Sequence, residues 1–166
     1  MQPTGFDEFH EVLLRLGVAM LLGGVIGVNR DLYHKPAGLR VMSLVSVGSA
    51  LAAMVALTAA HQQQNVTYDG LSRVLQGILQ GIGFLGAGVI MHAQGRDEVH
   101  GLTTAASIWL AGVLGLACGV GLWQLTLATF AVTVVILTVG RSIEKAILRQ
   151  RPISENHPAE TPPRTP

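Results

Sequence analysis

Gly81, Gly83 and Gly86, in the stretch "QGIGFLGAGVI" at residues 80–90, carry the spacing G-x-G-x-x-G. In a dinucleotide-binding turn that spacing cradles a pyrophosphate, provided a strand leads in, a helix leads out and an acid follows about 20 residues on. The lead-in here, "LSRVLQGIL", has helical character, so a nucleotide site loses its context. Asp97 and Glu98, flanked by His92 and His100, suggest a second chemistry. Magnesium binds through one or two carboxylates while keeping several waters, so this pair is a weak metal candidate. Adjacent residues diverge in direction, however, and a hydrated loop is the preferred reading. Arg30 and Arg40 offer a third, because two guanidiniums at one depth can hold a phosphate or carboxylate bidentately. Ordinary anchoring to lipid headgroups, or an ion pair of Arg30 with Asp31, is the structural alternative. Nothing pairs a nucleophile with a base and its orienter, so no enzyme and no cofactor are expected. The single cysteine, Cys118, excludes an intrachain disulfide and reads as a small packing residue.

The elements that position these residues follow from composition. Of 166 residues, 49% are apolar and only 13% charged, and mean hydropathy is +0.47. A soluble domain carries about 25% charged residues, and one this short has too little interior to hide so much apolar surface. Five apolar stretches, at about 12–29, 39–60, 71–92, 103–120 and 122–140, are long enough to cross a bilayer, which takes ~17–25 helical residues. Backbone groups in lipid must be satisfied within the segment, so the fold class is all-α and polytopic. Residues 1–11 are then a periplasmic segment, 12–140 the transmembrane domain, and 141–166 a basic, proline-rich, disordered cytosolic tail. Arg30, Lys35, Arg40, Arg96, Arg141, Lys145, Arg149, Arg151 and Arg164 fall on one side, and only Arg15 and Arg73 on the other. The positive-inside rule therefore puts the amino terminus outside and the carboxyl terminus in the cytosol.

On this topology Asn29, Arg30, Asp31, Arg40, Thr103 and Thr104 form a polar cluster at the cytosolic rim, with Pro36 and Gly38 turning the chain between the two arginines. Thr103 and Thr104 are placed to cap the start of the fourth span. The glycines acquire a different purpose from phosphate binding. In lipid, small residues let helices approach backbone to backbone. Gly23 with Gly27, Gly77 with Gly81, and Gly83 with Ala87 each sit four apart. Thr103, Ser107, Ala111, Gly115 and Gly119 make one continuous small ridge. Gly86 and Gly88 mark a place where the third span could kink. Gln76 and Gln80 share a helix face, with Gln80 near mid-membrane, as interhelical glue or as part of a polar pathway. Trp109 is expected to pack mid-span.

The segments "GGVIGVNRDLYHKPAGLRVMSLVSVGSAL", "QGIGFLGAGVI" and "VHGLTTAASIWLAGVLGLACGVG" together resemble the MgtC/SapB family of bacterial inner-membrane proteins, over roughly residues 12–140. The resemblance implies a multi-pass inner-membrane protein linked to magnesium homeostasis, acid-stress response and virulence. It also implies a regulatory module acting through helix contacts, in a homo-oligomer or with another membrane complex, the proton-translocating ATP synthase being one candidate. A small oligomeric ion transporter or channel, for magnesium for example, is the alternative. Two positions depart from the family pattern: Asn29 stands where an acid usually precedes the arginine, and Val41 where threonine usually follows "AGLR". A carboxylate role at position 29 would have to fall to Asp31. Longer family members carry a soluble domain after the last span, and its functions are not expected in this chain.

Overall fold

The computed structural model describes residues 5–62, 68–91 and 101–148, which form five helices and, among them, no strand. These are α1 (Gly5–Asp31), α2 (Leu39–Gln62), α3 (Tyr68–Met91), α4 (Leu102–Val120) and α5 (Trp123–Leu148). Each contains a stretch long and apolar enough to cross a membrane. The chain is therefore an all-α, multi-pass membrane protein.

The helices overrun the sequence-based spans mainly at the two ends. α1 begins at Gly5, inside the expected amino-terminal segment, and α5 continues to Leu148, inside the expected disordered tail. Both extensions, "GFDEFHE" and "RSIEKAIL", lack proline, so nothing in them stops a helix already nucleated by an apolar span. The remainder of the tail, and Asp97 and Glu98 with it, lies outside the described residues. α3 runs as one helix through Gly86 and Gly88, so the chain does not break there.

α4 is the central post. It packs against α1, α2 and α3 and more lightly against α5, while α1 and α2 pack closely against each other. α3 lies on the α2–α4 side and α5 on the α1–α4 side, and the two do not touch. The core runs through Ile26, Met42, Ile82, Ile108, Ala111 and Leu114, with Ala19, Leu22, Ala50 and Cys118 making a second layer. Small residues set the spacing of the inner three helices. A Cβ on Gly23 would stand 2.5 Å from the Met42 carbonyl oxygen, and one on Gly27 would stand 2.5 Å from the Leu39 Cα. Cβ atoms on Gly115 and Gly119 would collide with the backbones of Ser46 and Ala50. Backbone approach of this kind replaces the hydrophobic drive that lipid cannot supply.

Candidate functional site at the α1–α2 turn

The polar residues singled out in the sequence gather where α1 ends and α2 and α4 begin. Arg30, in the last turn of α1, turns inward: it is only 4% exposed, and its Nη2 donates to Oγ1 of Thr104, itself buried in the first turn of α4. A guanidinium enclosed in this way depends on its partners, since an unpaired buried donor costs ~1–3 kcal/mol or more when charged. Asn29 is half-buried beside it and Asp31 is exposed.

Asp31 acts on the chain that follows. Its Oδ2 accepts a hydrogen bond from Leu39 N at 2.8 Å, so a carboxylate from the end of α1 caps the start of α2. Between them, backbone bonds from Tyr33 N and Lys35 N to Arg30 O, both 3.1 Å, and from His34 N to Asp31 O at 3.0 Å fold the turn back. His34 and Ala37 take left-handed backbone angles, φ 53° and 59°. Gly38 leaves room for the Asp31 carboxylate, which a Cβ there would overlap. The expected turn at Pro36 and Gly38 is present, and its chemistry is helix capping.

Two expectations for this rim need correction. Arg30 and Arg40 do not form a clamp: Arg30 is committed to the interior, while Arg40 is exposed on the outer surface of α2. Hydropathy assigns both charges to the rim, but side-chain direction divides them. Thr103 and Thr104 do not cap α4 either. Gly101 occupies the cap position with φ 91° and supplies no side chain, Thr104 serves Arg30, and Thr103 offers its carbonyl to Ser107 Oγ at 2.7 Å.

The packing glycines also divide. Gly23, Gly27 and Gly115 meet neighbouring backbone, and Gly86 rests against Ala105, 3.3 Å from where its Cβ would be. A Cβ on Gly77, Gly81, Gly83 or Gly88 would meet nothing within 4 Å. α3 presents Ile78, Ile82 and Val89 to the core, so Gln76, Gln80 and Phe84 are exposed on its other side. Among the described residues neither glutamine side chain has a hydrogen-bond partner. Trp109, expected to pack, is 45% exposed.

At the opposite end, Arg15 has a role that sequence reading missed. Its Nη1 donates to Gly119 O at 2.6 Å and its Nη2 pairs with Glu11, so a guanidinium from α1 closes the carboxyl-terminal end of α4. Gly121, at φ 87°, completes that end by donating to Ala117 O and Cys118 O, both at 3.0 Å. A cavity of about 670 Å³ opens beside this cap, lined by Glu8, Glu11, Arg15, Met54, Leu57 and Thr58 among others. The available signal was the Glu11–Arg15 spacing of four, with Arg15 lying inside the apolar stretch of α1.

The chain is similar in sequence to known proteins over most of its length. The chain is 44% identical over 143 residues to SrpB of Synechococcus elongatus, covering 82% of this chain and 79% of that one. It is 41% identical over 117 residues to SapB of Bacillus subtilis, covering 69% of this chain and 50% of that one. With MgtC of Salmonella typhimurium it shares 39% over 144 residues, 86% of this chain and 57% of that protein. It thus spans most of SrpB but only half of SapB and a little more than half of MgtC. No solved structure matches. The MgtC family model covers residues 16–146, from α1 into the last turns of α5, and with these relatives it establishes that the chain belongs to the MgtC family.

Proposed function

We propose that this chain is a regulatory module of the bacterial inner membrane, serving adaptation to magnesium limitation or acid stress by helix contact with copies of itself or with another membrane complex. The proton-translocating ATP synthase is one candidate for that complex. The observation that carries the reading is the outward face of α3. Gln76 and Gln80 lie exposed on a membrane-spanning helix, beside Gly77, Gly81 and Gly88, against which none of the described residues packs. An amide left in hydrocarbon without a partner is costly, and bare glycine backbone is a surface on which a second helix can lie closely. Glutamine both donates and accepts, so the face suits a like copy as well as a different polar helix.

The test is site-directed crosslinking. Single cysteines replacing Gly77 or Gln80 should crosslink in native membranes, to a second copy or to another membrane protein enriched in magnesium-limited cells. Cysteines on the core-facing side at Ile78 should not. No capture at either α3 position would remove the proposal. The transporter alternative rests on the same amides lining a conduit between copies. Saturable magnesium or proton flux in proteoliposomes, lost in Gln80→Ala, would decide for it and against the regulator.

A further inference from the structure

The outer surface between α1 and α2 holds a groove of about 680 Å³ that none of the packing described above uses. Its walls are Leu21, Val25 and Val28 from α1 and Leu39 and Leu44 from α2, and Arg40 stands at its end by the α1–α2 turn. Its one hydroxyl, Ser43 Oγ, donates to Met20 O at 3.3 Å, so the walls ask for hydrocarbon. From Met20 to Val28 the groove follows nine residues of helix, a rise of about 12 Å at 1.5 Å per residue step. That is close to half of the ~30 Å hydrocarbon core, or one leaflet.

Two features favour an acyl chain over a second helix. Gly24, on the floor, is already covered: Leu39 Cδ1 and Ser43 Oγ lie 3.2 Å from where its Cβ would be, so no bare backbone strip is offered. The rim, meanwhile, asks for an anion. Arg40 lies in the first turn of α2, where the helix dipole disfavours a cation and no acidic residue is present. Among the described residues it makes no ion pair or hydrogen bond, the nearby Asp31 carboxylate being bound to Leu39 N. A phosphodiester at that level meets the Arg40 guanidinium, whose fork of donors matches two phosphate oxygens.

We infer that the α1–α2 groove seats one acyl chain of an anionic phospholipid whose phosphate pairs with Arg40. The site is independent of the contact surface on α3, and neither proposal requires the other. It is tested by native mass spectrometry of the full chain released from micelles containing phosphatidylglycerol or phosphatidylcholine with the same acyl chains. The native chain should retain one phosphatidylglycerol under activation that strips phosphatidylcholine. Arg40→Gln should reduce that preference about fivefold, the worth of one basic residue at an anionic lipid surface, and Arg40→Lys should keep most of it. Leu44→Trp, which fills the groove, should release both lipids, and Arg73→Gln on α3 should change nothing. Unchanged preference in Arg40→Gln would overturn the inference. So would displacement of the bound lipid by millimolar inorganic phosphate, which would show a headgroup site without a seated chain, or equal loss in Arg73→Gln, which would show a nonspecific charge effect.

Discussion

α4 and α3 are both glycine-bearing spans of similar length, yet they stand in opposite relations to the rest of the molecule. Of the most apolar stretch of α4, 56% is buried within the chain, against 11% for α3. Gly115 and Gly119 in α4 admit the backbone of α2, whereas Gly77, Gly81 and Gly88 in α3 admit nothing among the described residues. In the first case the cost of helix-interior glycine, about 1 kcal/mol each relative to alanine, is offset inside one chain by close packing. In the second the described residues supply no offset, so it comes from elsewhere or the helix bears the loss. A small-residue spacing therefore says that a backbone can be approached and does not say by whom.

The comparison breaks most sharply at Gly115. Gly115→Leu forces a side chain into the Ser46 backbone, a steric conflict that rotamer changes cannot relieve. Overpacking a tight core costs ~1–3 kcal/mol even where side chains can shift, and here the expected loss is at or beyond the top of that range. Thermal unfolding of purified protein in detergent should show a large fall in Tm or no folded material. A variant that unfolds like the native chain would mean that α2 and α4 do not meet as described.

The rim gives smaller effects. Thr104→Val keeps the shape of the side chain but removes the hydroxyl that receives Arg30 Nη2, leaving a buried guanidinium with one partner fewer. The expected cost is ~1–3 kcal/mol, with Thr104→Ser close to native because the hydroxyl returns. Asp31→Ala removes the carboxylate that caps α2 and should cost about 1 kcal/mol. Asp31→Asn, which keeps an acceptor oxygen, should recover much of it. If the two aspartate variants behave alike, the charge and not the cap is what matters at that position.

How much of this was legible in the sequence follows the same division. The spans were legible because a helix-length apolar run constrains its own backbone, whatever surrounds it. The turn at Pro36 and Gly38 was legible for a similar reason, being local. The direction of Arg30 was not: hydropathy counts a charge as a rim residue, and an inward course depends on partners such as Thr104, which arrives from 74 residues away. Arg15 was counted for topology, but its role as a cap depends on α4 ending beside it, 104 residues later. Thr104 had the residue type of a helix cap, and the left-handed Gly101 releases it for Arg30. Gly77 and Gly115 carry equivalent spacing signals, and their difference lies entirely in what packs opposite them.

The smallest expected effect on the isolated chain falls on α3, and for that reason it tests the division most directly. Gly81 and Gln80 are both exposed, and a Cβ at 81 meets nothing within 4 Å, so Gly81→Leu and Gln80→Leu disturb no packing among the described residues. Replacing glycine by leucine improves helix propensity, and replacing an exposed amide by leucine suits lipid better. Monomer unfolding should therefore stay within about 0.5 kcal/mol of native, as for surface substitutions generally, or rise slightly. Crosslinking through α3 should fall in both variants, because leucine at 81 holds a partner helix away and leucine at 80 takes away its hydrogen bond. A Tm loss comparable to Gly115→Leu would place the α3 face inside the fold. Retained crosslinking with retained stability would mean that its glycines and amides serve neither packing nor assembly.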